Sequence, residues 1–290
     1  MECIVVDDAS TDDTAKIAKR AGARLVSLGE QGGPAAARNA GIAAARAELL
    51  VFTDADCVPS PGWLPALVAA LGEADLVQGP VAPDPATPVG LFDRTLRLQG
   101  PSPRFETANL AVRRSVAERV GGFVPFVPVA GAAGGGLRPS VDEGHFGEDV
   151  VFGWAARRSG ARVAFARDAV VYHAVFPRRR RAYVAERWRL RYFPGLVREV
   201  PELRASMPAR MFLSQRTARF DAALIGAGAA VVCRSPWPLL FAVPYVRRDL
   251  RTWAIVGRGA AADNLALVAA DAVGLAALAR GSLAARRLLL

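Results

Sequence analysis

The chain has 290 residues, enough for one large or two modest domains, and its formal net charge is +10 at pH 7 with a hydrophobic share of 52%. Almost all of the positive charge is arginine, which suits an anionic partner: a nucleotide phosphate, nucleic acid or an acidic membrane face. Cys3, Cys57 and Cys233 are too dispersed for a disulfide framework or zinc spacing and read as free thiols; Met1-Glu2-Cys3-Ile4 enters a strand directly, with no secretory signal ahead of it.

Glu2 to Val6 is an apolar run, and a parallel α/β domain opening on a buried strand expects a neighbour before it. The run ends in Asp7-Asp8-Ala9-Ser10-Thr11-Asp12-Asp13-Thr14: an acidic turn, then a helix capped at Ser10 or Thr11. Capping accounts for Asp12 and Asp13. Asp7 and Asp8, at the strand exit, are open to a second use, accepting from a base N–H or a ribose hydroxyl.

Ala15 to Arg20 continues the helix, Ala23 to Leu28 is the next strand, and Pro34 opens a helix over Ala35 to Ala47. Its Arg38-Asn39-Ala40-Gly41 combines small residues for close helix–sheet packing with an arginine that either reaches a phosphate or lies on the surface. Leu49-Leu50-Val51-Phe52 reads as a strand buried on both faces, running into Asp54 and Asp56. Ligands of open α/β sheets bind beyond the carboxyl ends of such strands. Two carboxylates this close repel unless a cation or a donor-rich partner joins them; magnesium, which takes one or two carboxylates plus phosphate oxygens, would serve. An Asp-rich cap on the next helix is the plainer alternative.

A helix from Pro59 to Leu71 and a strand from Asp75 to Gln78 complete a β-α-β-α-β-α-β rhythm, the signature of a mostly parallel sheet flanked by helices. A Pro-rich crossing over 79–103 leads to a strand and short helix from Phe105, closed by Gly121-Gly122. The Gly-rich stretch from Pro125 to Gly147 reads as a lid, a binding loop or a disordered segment. It delivers Glu148 and Asp149 to the start of an amphipathic helix, as dipole partners or as a third acidic cluster. Strand-like 162–166 and 170–172 precede His173, structural or a metal ligand.

The ordered set Val6 to Thr14, Gly33 to Gly41, Thr53-Asp54-Ala55-Asp56, Asn109 to Arg113 and Gly147-Glu148-Asp149 resembles family 2 glycosyltransferases, over about residues 2–175. The resemblance implies a GT-A α/β fold and an inverting, metal-assisted transfer from a UDP- or GDP-linked sugar. In that scheme Asp7, Asp8, Arg38 and Asp54 hold the nucleotide sugar, and Asp56, with His173 as a further candidate, ligates Mg or Mn. Asp149 is the general base, while Asn109, Glu148, Arg187 and Trp188 face the acceptor or donor sugar. Family members usually open with one more strand and helix carrying Pro-x-x-Asn-Glu, which has no counterpart here. Processive members carry Gln-x-x-Arg-Trp; Arg187-Trp188 match, but Val184 stands at the Gln position, so the expectation is non-processive. A nucleotidyltransferase on a similar sheet and a non-catalytic relative are the rival readings.

Three segments are expected: a GT-A domain over 1–175, a basic amphipathic helix over 176–205 and an apolar helical region over 206–290. Pro177 to Arg204 mixes arginines with Tyr183, Trp188, Tyr192 and Phe193 and suits an anionic membrane surface; a nucleic-acid patch and a solvated helix are the competing readings, and no nucleic-acid partner is expected. From Ala222 to Val246 the one charge is Arg234, and the Arg-Ser-Pro-Trp-Pro break favours an interfacial or re-entrant hairpin over one clean span. A second apolar helix is expected over Asp263 to Leu278, with arginines flanking both pieces. Gly226-Ala227-Gly228 lacks the third glycine of a dinucleotide fingerprint. The expectation is an enzyme at the cytoplasmic face of the cell membrane with a lipid-linked or envelope-glycan acceptor; a soluble helical bundle is the alternative for the tail.

Overall fold

The apolar quartets that end in acids fold as short strands, and the Ala-rich stretches between them fold as helices. The computed structural model describes residues 1–126, 146–248 and 260–290. The Gly-rich stretch read as a lid lies almost wholly outside those residues.

The chain divides into two units, Met1–Gly90 with Arg94–Phe176, and Leu91–Asp93 with Pro177–Leu290. In the first, β1 (Ile4–Asp7) pairs in parallel with β2 (Arg24–Ser27) across α1 (Thr14–Arg20). After α2 (Gly33–Ala44), β3 (Leu49–Phe52) pairs antiparallel with β7 (Leu110–Arg113), which pairs antiparallel with β5 (Leu76–Gln78). β5 then pairs in parallel with β8 (Val163–Phe165). So β3, β5 and β8 run the same way, as the β-α-β rhythm requires, and β7 is inserted against them. A smaller sheet orders β4 (Cys57–Pro59), β9 (Val171–His173) and β6 (Val81–Pro83). Helices α3 (Trp63–Ala70), α4 (Arg114–Arg119) and α5 (Glu148–Arg158) complete the unit.

The core lies where β5 and β7 meet α3: Leu67, Leu71, Val77 and Ala111 are fully buried. Burying each leucine there contributes about 1.5–3 kcal/mol. The expectation that Leu49 to Phe52 is buried on both faces is corrected. Only Leu50 is buried, because β3 stands at the end of its sheet with β7 as its one paired neighbour. β1 is likewise half-buried along Ile4 to Val6 rather than central, in contrast to β5.

In the second unit the segment expected to be one basic amphipathic helix is broken. It forms α6 (Arg180–Glu186), a 3-10 turn (Arg187–Tyr192), α7 (Phe193–Glu199) and another 3-10 turn (Pro201–Ser206). Pro194 and Pro201 lack the N–H that a continuous helix needs, and each opens a new turn instead. Helix α8 (Gln215–Val232) begins with a capping box between Ser214 and Thr217, then leads to a 3-10 turn over Trp237–Ala242. Helix α9 (Ala260–Ala285) exceeds the expected Asp263–Leu278 at both ends and packs on α6, α7 and the 187–192 turn. By length and composition it is one described helix long and apolar enough to cross a membrane.

Candidate active site

Within the first unit the exits of β1 and β3 and the start of α5 carry the acidic clusters, and the end of β9 carries His173. Asp7 is buried, and its Oδ1 accepts the Ser10 N–H at 3.0 Å, closing the turn that holds Ala9 at φ 56°. Asp8 reaches across to the start of α2, where its two oxygens accept the Gly32 and Gly33 N–H groups, each at 2.7 Å. A carboxylate at a helix N-terminus is favoured by the dipole and by the unpaired N–H groups there. Both acids therefore shape the loop, and further contacts would use their remaining lone pairs.

Arg38, expected either on the surface or at a phosphate, is held between acids from two distant parts of the chain. Its Nη1 donates to Glu148 Oε1 at 2.8 Å and its Nη2 to Asp54 Oδ1 at 3.3 Å. The guanidinium also lies 5.5 Å from the Phe123 ring centroid, and that ring stacks on Phe152 of α5. The next residue, Asn39, fixes Phe123 in place: its amide donates to the Phe123 carbonyl and its oxygen accepts the Phe123 N–H, both at 2.7 Å. Arg38-Asn39 thus works as a unit, one side chain joining acids and the other setting the aromatic floor. Gly41 lies 3.4 Å from Val6 measured from an added Cβ, the close helix–strand packing expected of the small residues.

Asp149 follows Glu148 in the first turn of α5 and accepts the Val150 N–H at 2.8 Å. Burial first, and the Glu148 charge after it, push its carboxyl up to about 7 against the lowering charge of Arg38. That value suits a proton acceptor near neutral pH. Asp54 is also raised, by burial first, against the lowering charge of Arg38 and with the raising charge of Asp56. Glu106 escaped the sequence reading, being taken as one residue of an ordinary strand. It is buried, Arg104 pairs with one oxygen at 3.0 Å, and the other oxygen has no partner among the described residues. Its negative charge also raises Asp149.

Asp56 and His173 approach at 3.4 Å between Oδ2 and Nε2. His173 Nδ1 lies 2.7 Å from the Ala174 carbonyl, which can only accept, so Nδ1 carries the proton. A neutral ring would then aim its Nε2 lone pair at a carboxylate, an arrangement that calls for a cation, either a proton or a metal. The donor set fits a divalent ion, and Cys57 completes a group of three ligand atoms within 4.8 Å of one another. Burial, with Asp54 and Asp56 adding to it, pushes the Cys57 thiol up to about 12.

Asn109, expected on the sugar side, has its side chain held within the fold. It is fully buried, donating to the Pro80 and Ala169 carbonyls at 2.8 and 2.6 Å and accepting from Trp63 Nε1 at 2.9 Å. It is a strut joining β7 to the strand ends around it. Arg187 and Trp188 belong to the second unit, where Arg187 bonds the Tyr183 hydroxyl and lies over its ring.

Residues 1–125 match the profile of Glycosyl transferase family 2. The chain is 33% identical over 177 residues to glycosyltransferase AglE of Haloferax volcanii, covering 55% of this chain and 58% of the relative. It is also 33% identical over 175 residues to succinoglycan biosynthesis protein ExoU of Rhizobium meliloti, covering 56% of this chain and 50% of that protein. The chain thus spans about half the length of these curated relatives. Among solved structures, mannosyltransferase PcManGT from Pyrobaculum calidifontis, in complex with GDP-Man and Mn2+, has a TM-score of 0.51 at 23% identity, over 97% of this chain and 77% of that one. Residues 1–125 thus match glycosyltransferase family 2, and the likeness to the solved structure shows the GT-A fold.

Proposed function

We propose that the chain is an inverting, non-processive glycosyltransferase that moves a sugar from a UDP- or GDP-linked donor to a lipid-linked or envelope-glycan acceptor at the cytoplasmic face of a membrane. The observation that carries the proposal is the Arg38 bridge: it joins Asp54, beside the metal-type pair Asp56 and His173, to Glu148, next to Asp149. Donor-side acids and a base poised near neutrality are thereby brought to one place. Asp149 takes the proton from the acceptor hydroxyl, and a base on the face opposite the departing diphosphate inverts the anomeric centre. Asp56 and His173 would hold Mg or Mn, which when bound neutralises charge on the diphosphate. Asp54 faces the sugar-nucleotide, and the Asp7-Asp8 turn receives its base or ribose. The similarity to a succinoglycan biosynthesis protein supports a glycan product.

The test is a panel of UDP- and GDP-sugars with Mn2+ or Mg2+, following donor binding and hydrolysis. Turnover is expected to stop with a chelator and to fall about 10²–10⁴-fold in Asp149→Asn, with donor affinity kept within about twofold. A full-length protein that neither binds nor hydrolyses any donor, or an Asp149→Asn variant of undiminished turnover, refutes the proposal.

A further inference from the structure

The start of β4 and the end of β9 form a ligand set that a hard ion does not fully use. Cys57 and His173 are directly opposite each other in the antiparallel register, so the strand pair fixes where both side chains begin. Between them the Asp56 carboxylate is flanked on both sides. Its Oδ2 is 3.4 Å from His173 Nε2, and its Oδ1 is 3.8 Å from Cys57 Sγ. The bond from His173 Nδ1 to the Ala174 carbonyl, at 2.7 Å, turns Nε2 toward the group and supplies the outer partner that metal-bound imidazoles usually have. One oxygen, one nitrogen and one sulfur ligand therefore lie within 4.8 Å of one another.

Magnesium and manganese prefer oxygen and leave a thiol aside, whereas zinc, cobalt and cadmium gain from sulfur and imidazole. We propose that Asp56, Cys57 and His173 form a second-mode site that binds zinc through sulfur, and that Cys57 thereby decides which metals the protein accepts. Three protein ligands plus one open position is a common zinc arrangement. Coordination forms a metal–sulfur bond and releases the thiol proton to solvent, with no change of oxidation state. Because it recruits Asp56 and His173, zinc excludes the hard ion; only this inhibitory consequence rests on the glycosyltransferase reading.

The experiment uses the full chain, stripped of metal, with Cys3→Ser and Cys233→Ser introduced so that the two exposed thiols cannot contribute. Cobalt is titrated as a spectroscopic stand-in, then displaced by zinc. The expected result is a near-ultraviolet sulfur-to-cobalt charge-transfer band that one equivalent of zinc removes. Adding Cys57→Ser should abolish the band and weaken zinc by roughly a hundredfold, the upper end of what even outer-shell partners contribute. Manganese affinity, followed by the loss of its free-ion paramagnetic resonance signal, should stay within about twofold, which also shows that the variant is folded. Cys57→Ala serves as a second variant if the serine form does not fold. Absence of the band with Cys57 present, or zinc affinity unchanged by its removal, overturns the proposal. A sulfur–cobalt band in a protein that binds no nucleotide sugar would sustain this site while refuting the transferase reading.

Discussion

Asp149 sits between neighbours of opposite sign, and that gives its protonation a direction that substitutions can reverse. Burial and Glu148 raise it to about 7, and the Arg38 cation resists. Asp149, as the proposed base, works only when deprotonated, so transfer should fall as pH drops through about 7. Arg38→Gln removes the resisting charge and should move that limb to higher pH by on the order of one unit. Glu148→Gln removes a raising charge and should move it lower. The check is the pH profile of kcat/KM for donor turnover in the three proteins; shifts of the same sign in both variants would show that Arg38 and Glu148 do not act through this charge. The sequence made Asp149 and its neighbour visible because acids at a helix start are local features. It concealed the link from Arg38 to Glu148, which depends on how α2 and α5 approach each other across 110 positions of chain. The burial of Asn109 was hidden for the same reason. An amide in a strand looks available until the carbonyls of Pro80 and Ala169 close on it.

At the scale of elements, α5 is the part whose position matters most, because it carries Glu148 and Asp149 on its first turn. It rests against Phe105 at Gly153, where an added Cβ would lie 2.1 Å from the ring and 2.5 Å from the Phe105 Cβ. That clash is with a fully buried aromatic held at φ 54°, which has little room to give. Gly153→Ala should therefore destabilise the fold by about 1–3 kcal/mol, read from urea unfolding. It should also lower turnover more than donor binding, since the helix that bears the proposed base is the one displaced. An unchanged midpoint would mean that α5 is not seated on Phe105. Strand existence was legible from apolar runs ending in acids, and the helices from Ala-rich stretches closed by glycine. The reversal of β7 was not, because four apolar residues say nothing about direction. Nor was the fracture of 176–205, although Pro194 and Pro201 stood at its breaks.

For the whole molecule, the proposed membrane association of a chain of net charge +10 can be tested, and the second unit's own packing favours a membrane's surface over its interior. Helix α9 is long enough to span, yet its acids are already paired within the unit. Asp263 pairs with Arg180 at 2.5 Å, while Asp271 holds Arg216 at 2.6 Å and accepts from the Tyr245 hydroxyl at 2.7 Å. α9 exposes Leu265, Val268 and Leu283, while a denser apolar cluster lies at the end of α8 and the turn after it: Val231, Val232, Trp237, Leu240 and Phe241 all face solvent, with Val232 83% exposed. Gly226 lets the 237–242 turn lie close on α8, so these side chains sit on one packed hairpin with Arg234 in its bend. Apolar side chains beside arginines fit the headgroup boundary of an anionic bilayer. The full chain should float with vesicles containing phosphatidylserine and bind neutral ones less, and rising salt should narrow the difference. Replacing Trp237 and Phe241 together by serine should weaken partition by roughly a hundredfold or more, given about 1.5–3 kcal/mol for each large apolar side chain withdrawn from water. Undiminished binding of that double variant would move the anchor to α9. A concentration-dependent dimer that dissociates on the same substitution would instead make the hairpin a contact between copies of this chain.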